Sequence, residues 1–65
     1  MSVIVNGHAE AMPEPQTLEA LLARLSPMSP FAVACNGDFV SRTTYAECLL
    51  NPGDEIEIVH PAAGG

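Results

Sequence analysis

Few residues of this chain could do chemistry, and the most informative pair stands at its C-terminal end. Gly64-Gly65 places an α-carboxylate on two residues that lack a Cβ, so another protein's backbone can close tightly around them. The carboxylate is ionised at neutral pH, its ordinary pKa being about 3.3–3.7. An ionised carboxylate is a poor acylating agent. To pass on an acyl group or take up sulfur it must first be activated, most simply as a mixed anhydride with phosphate. That step needs ATP and an enzyme, and the chain has neither a phosphate-binding loop nor any lysine to cradle one. The terminus reads as the reactive end of a substrate protein. Taken alone, the glycine pair reads equally well as a frayed end.

The other reactive side chains are sparse. Cys35 and Cys48 sit in the apolar contexts Val33-Ala34-Cys35 and Cys48-Leu49-Leu50, where small buried hydrophobes with reduced thiols are the simplest reading. His60 precedes Pro61 at the base of the tail, and His8 follows a turn; a catalytic His60 stays open as an alternative, and His8 is less favoured. No metal-ligand cluster or nucleophile–base pair is evident, so no catalytic residue is assigned.

Composition narrows the classes. Sixty-five residues allow one domain, too small for a deep pocket and of modest stability, a few kcal/mol. Hydrophobic content is 48%, in short runs parted by turn residues, which argues for a folded domain. Net charge is −6, eight acids against Arg24 and Arg42. That disfavours nucleic acid, which needs a basic face. It suits a partner with a basic patch, or serves solubility alone. No signal sequence or membrane span is evident, and the expected location is the cytoplasm.

The elements that must position the terminus are legible from spacing. Val3-Ile4-Val5, the Asn6-Gly7 hairpin signal and His8–Met12 form a β-hairpin, stopped by Pro13 and Pro15. Thr17 caps a helix whose apolar stripe is Leu18, Leu21, Leu22 and Leu25. Ser26-Pro27 and Ser29-Pro30 end it. Phe31–Cys35 is a third strand, with Val33 and Cys35 on one face and Ala32 and Ala34 on the other. Asn36-Gly37-Asp38 turns into a short strand at Phe39-Val40. Thr43–Leu50 is ambiguous and compatible with a helical turn around Tyr45-Ala46-Glu47. Asn51-Pro52-Gly53-Asp54 turns into the last strand, Glu55–Val59, with Ile56 and Ile58 inward and Glu55 and Glu57 outward.

One helix covers one sheet face, which gives a two-layer α+β domain. The expected core is Val3, Val5, Leu18, Leu21, Leu22, Leu25, Val33, Ile56 and Ile58. The uncovered face carries Ile4, Phe39 and Val59 beside Glu55 and Glu57. It reads either as a partner-docking face or as scattered surface apolars.

After Val59 comes His60-Pro61-Ala62-Ala63-Gly64-Gly65. Pro61 cannot join a ladder. The small residues after it make a smooth thread, and six residues reach about 20 Å at roughly 3.3 Å each.

With the closing strand Gly53–Val59 and the final Ala62-Ala63-Gly64-Gly65, the chain resembles the ThiS/MoaD-type ubiquitin-like sulfur carriers of bacteria, and among them the ThiS type. The Val3-Ile4-Val5-Asn6-Gly7 opening and Val33–Val40 with the following Arg42 fit the same pattern. Ser41 departs from it, since proline is expected before that arginine.

The resemblance implies a β-grasp (ubiquitin-like) fold: a mixed sheet of four to five strands on one main helix over residues 1–59, and a flexible tail over 60–65. It also implies a cycle. A ThiF-like adenylating enzyme activates the Gly65 carboxylate with ATP and magnesium. Sulfur relayed from a cysteine desulfurase displaces AMP and leaves a thiocarboxylate. A ThiG-like thiazole synthase then takes the sulfur for thiamin. Pro61, Ala62, Ala63 and Gly64 would thread into the partner. The chain itself would be no enzyme and would bind no cofactor. The alternatives are a molybdopterin synthase small subunit, a ubiquitin-like protein tag, and an interaction module with an idle tail.

Overall fold

Two Asn-Gly turns organise the sheet. In the computed structural model, which describes residues 1–61, Asn6 and Gly7 have φ of 48° and 83°, and Asn36 and Gly37 have 51° and 88°. Positive φ at both central positions is the two-residue turn whose twist matches that of paired strands. The first turn joins β1 (Ser2–Val5) to β2 (His8–Ala11), and the second joins β3 (Ala32–Cys35) to β4 (Asp38–Val40). Each pair is antiparallel.

The last strand, β5 (Glu55–Val59), runs between the two hairpins. The described residues form a five-stranded mixed sheet in the order β2-β1-β5-β3-β4. β5 is parallel to β1, with Ile4 opposite Glu55 and Val5 opposite Ile56. It is antiparallel to β3, where Ala32 faces Val59, Val33 faces Ile58, Ala34 faces Glu57 and Cys35 faces Ile56. The strand that leads into the C-terminal residues is thus central.

The helix α1 (Leu18–Leu25) covers one face. The Thr17 hydroxyl accepts from the Ala20 N–H at 3.1 Å, satisfying a first-turn donor. At the other end Ser26 adopts the left-handed conformation, φ 49°, and its N–H donates to the Leu22 carbonyl at 2.7 Å. This local reversal closes the helix just before Pro27. Leu18, Leu21 and Leu22 are buried against Val3, Val5, Val33, Ile56 and Ile58. Leu25, expected in the core, is only partly buried at its rim, because the helix ends there.

Leu50 completes the core at 2% exposure, and the sequence did not single it out. A 3-10 helix spans Arg42–Glu47, wider than the expected turn. The chain then runs extended beside the lead-in to α1. The Leu18 N–H donates to the Cys48 carbonyl and the Leu50 N–H to the Gln16 carbonyl, both at 2.9 Å. Thr17 and Leu49 form an antiparallel bridge between these bonds. The strap points Leu50 inward and leaves Leu49 71% exposed.

Candidate functional site: the end of the central strand and the open sheet face

The candidate reactive group expected from the sequence lies beyond β5, so what matters is how β5 is held. β1 turns away at Asn6, and its backbone carbonyl leaves the ladder there. The Asn6 carboxamide takes over. Its Oδ1 accepts from the Ile58 N–H at 2.9 Å, and its Nδ2 donates to the Ile58 carbonyl at 3.2 Å. Asn36 does the same on the other side. Its own N–H donates to the Glu55 carbonyl at 2.7 Å, and its Oδ1 accepts from the Glu55 N–H at 3.0 Å. Its Nδ2 also donates to Asp54 Oδ1 at 3.2 Å. Each turn asparagine therefore tolerates the left-handed backbone and pins the central strand with its side chain.

Beyond Ile58, Val59 pairs with Ala32. Continuing that register sets Phe31 opposite His60, and their rings meet, with centroids 6.4 Å apart and planes inclined at 54°. Phe31 is half-buried against the core, while His60 and Pro61 are exposed. Pro61 has no N–H, so the ladder stops there.

The face opposite α1 is uncovered. Alternation from Ile56 and Ile58 puts Glu55, Glu57 and Val59 on it, and alternation from Val3 and Val5 puts Ile4 there. Phe39 joins through register: it stands across from Ala34, which stands across from Glu57. Phe39 is 73% and Val59 55% exposed, whereas Ile4 is half-buried between its neighbours. The result is a shallow apolar surface of Ile4, Ala32, Ala34, Phe39 and Val59, divided by the two glutamates of β5.

Cys35 ends β3 on the helix side and is half-buried, as is Cys48. Burial pushes the Cys35 thiol up, and the negative charges of Asp54, Cys48 and Asp38 add to that. A raised thiol is protonated and unreactive near neutrality. No pocket is found among the described residues, nor any group of three metal-ligating side chains. No helix among them is long and apolar enough to cross a membrane.

The fold is shared with known proteins. The ThiS family model matches residues 3–65. The chain belongs to the ThiS family. ThiS-type proteins are the ubiquitin-like sulfur carriers of thiamine biosynthesis, small carrier proteins rather than enzymes. The crystal structure of the thiamine biosynthesis protein ThiS from Geobacter metallireducens superposes with a TM-score of 0.81 at 23% identity, over 100% of both chains. That likeness establishes the fold: the β-grasp architecture expected from the sequence is the one observed. Among curated proteins, the thiazole synthase of Paramagnetospirillum magneticum is 36% identical over 66 residues. The match takes in 100% of this chain and 20% of that protein, so the chain spans about one fifth of the length of this relative.

Within this ThiS-family chain, the predicted docking residues Ile4, Phe39, Val59, Glu55 and Glu57 all fall on one sheet face. Pro61 lies exposed at the end of the described residues. Ala62, Ala63, Gly64 and Gly65 lie outside the described residues. Nothing in the sequence alone assigns a role at this site to Asn6, Asn36 or Phe31. The two asparagines were visible only as turn formers, because their partners lie up to 52 positions away. Phe31 looks from the sequence like an ordinary strand residue.

Proposed function

We propose that this chain is a sulfur carrier for thiazole formation, with the Gly65 carboxylate as the group that is activated and loaded. A carboxylate oxygen attacks the α-phosphorus of magnesium-bound ATP in an adenylating partner, releasing pyrophosphate and leaving an acyl adenylate. A persulfide relayed from a cysteine desulfurase then displaces AMP through its terminal sulfur, and a second thiol cleaves the resulting acyl disulfide, leaving a thiocarboxylate on Gly65 and a disulfide between the two thiols. A thiazole synthase takes that sulfur, and an oxygen from water or substrate returns the carboxylate. Residues 1–59 serve recognition and residues 60–65 delivery. The open sheet face, with Glu55 and Glu57 between Ile4, Phe39 and Val59, docks a partner carrying apolar and basic side chains.

The observation that carries this reading is the family match that runs to residue 65, through both glycines. The thiazole synthase that contains a segment like this whole chain supports the thiazole branch. Carrier and synthase on one polypeptide is an arrangement that raises the effective concentration of two parts that must meet.

Intact mass spectrometry tests it. Protein incubated with the adenylating enzyme, ATP, magnesium and a sulfur source should gain a species in which one oxygen is replaced by sulfur. Deleting Gly65 should abolish that species and leave the fold intact. Persistence of the unmodified carboxylate under those conditions would sink the carrier reading, and ladders of protein adducts would point to a conjugated tag instead.

A further inference from the structure

The last residues of β5 are held on both flanks, by the Asn6 side chain on one and by backbone pairing with β3 on the other. On the β1 side the ladder would end at Ile56, yet the Asn6 carboxamide extends it to Ile58 with two hydrogen bonds. On the β3 side the pairing runs to Val59, opposite Ala32. One step further, the Phe31 and His60 rings meet at 6.4 Å and 54°, within the range where tilted aromatic rings attract. Val33 and Ile58 face the helix, and Ala32 and Val59 face away. Alternation therefore turns Phe31 and His60 back to the helix side. Phe31 itself is packed against the core.

We propose that Phe31 is a positioning residue for delivery of the C-terminus: its core-anchored ring braces His60 and fixes the point and direction in which the chain leaves the sheet. The inference rests on the carrier reading above. Pro61 cannot continue the ladder, so the ladder stops at the brace. Five residues then remain to cross into a partner's site, a reach of about 16 Å at roughly 3.3 Å each. Holding His60 means that its backbone freedom is already lost before any partner is met. Freeing one residue costs about 1–2 kcal/mol of ordering, which corresponds to a 5- to 30-fold smaller population of correctly threaded complexes. The docking face is untouched by this, so the loss falls on turnover rather than on encounter.

The variant His60→Ala removes the exposed partner of the ring pair without disturbing the core, and His60→Phe keeps a ring there without imidazole nitrogens. Phe31→Leu keeps packing against the core but removes the aromatic contact. The full chain is assayed with a ThiF-like adenylating enzyme, ATP and magnesium, reading pyrophosphate release. His60→Ala and Phe31→Leu should each lower kcat about tenfold with KM nearly unchanged, and His60→Phe should return kcat to within about twofold of the parent. In parallel, backbone ¹⁵N relaxation at His60 should fall from a rigid order parameter near 0.85 toward 0.6 in the two disrupting variants only. That readout needs no activity. If the parent protein is never adenylated, the carrier reading fails while relaxation still decides the brace. Equal loss in His60→Ala and His60→Phe, or an order parameter at His60 that does not change in Phe31→Leu, overturns the proposal.

Discussion

Replacing Asn6 by glycine isolates the clamp on the central strand. Glycine accepts the φ of 48° at this position without strain. The turn is kept, and what is lost is the side chain that bonds both the N–H and the carbonyl of Ile58, at 2.9 and 3.2 Å. A hydrogen bond contributes a net 0.5–1.5 kcal/mol, so the pair is worth about 1–3 kcal/mol. Both bonds are partly buried, and β1 has already turned away, so no backbone group replaces the carboxamide. The added freedom of glycine in the unfolded chain costs up to roughly 1 kcal/mol more. The expected loss is about 1–4 kcal/mol, a large share of the few kcal/mol available to a domain of this size. Asn6→Ala should lose about 1 kcal/mol beyond Asn6→Gly, since alanine must also enter the left-handed region. Urea unfolding followed by circular dichroism measures the differences, and amide exchange at Ile58 locates them. A variant Asn6→Gly within about 0.5 kcal/mol of the parent, with unchanged protection at Ile58, would refute the clamp, because such a shift is no more than a surface substitution gives.

Three further outcomes follow from the same contacts. Leu50→Ala should destabilise by about 2–4 kcal/mol in the same unfolding assay, as befits a 2%-exposed core leucine, whereas Leu49→Ala should stay within about 0.5 kcal/mol. Ser41 has φ −67° and ψ 138° and follows a strand residue, a backbone that proline already prefers; Ser41→Pro should stabilise by about 0.4–1 kcal/mol, and a lower urea midpoint would contradict it. The Cys35 thiol is raised by burial first and by Asp54, Cys48 and Asp38 next, so its folded pKa lies above its unfolded one. The stability it contributes is therefore full below the ordinary thiol pKa of about 8.5 and is lost as pH rises through the folded value. Alkylation of Cys35 against pH should show a midpoint above that of the urea-unfolded chain; coincident midpoints would contradict the shift.

Several of these features were open to reading from sequence, and the reasons differ. The helix was legible because Leu18, Leu21 and Leu22 repeat at its period and Thr17 stands where a cap must. The two Asn-Gly turns were legible because few residue pairs accept positive φ twice over. Leu25 fits the same helical period but sits in the last turn, so its burial depended on where the helix stopped. Leu50 lay outside any periodic pattern, and only the strap against Gln16 and Leu18 turns it inward. The open face was half legible. Alternation along β1 and β5 gives Ile4, Glu55, Glu57 and Val59, but Phe39 takes its place through Ala34 and a register that pairs it with neither of those strands. The candidate reactive end, Gly64-Gly65, lies outside the described residues, and its reading rests on the covalent chemistry of a glycine carboxylate and not on the fold. The clamps were the least legible, since a side chain's partner 52 residues away leaves no local signal.

The central position of β5 links the two halves of the proposed function. An edge strand would be held on one side only, and its end would fray. β5 is paired on both sides, and the two turn asparagines extend that pairing to Glu55 at one end and Ile58 at the other. Glu57 and Val59, on the open face, therefore belong to the same rigid strand that His60 and Pro61 continue. A partner seated on Glu57 and Val59 meets the start of the delivered segment within three residues, with little slack between the docking surface and the departing chain. Under the proposed function, docking would orient the chain leaving at Pro61 through strand geometry, and the small size of the domain would cease to be a handicap. It needs no pocket of its own if one well-held strand carries both the recognition surface and the path to the carboxylate.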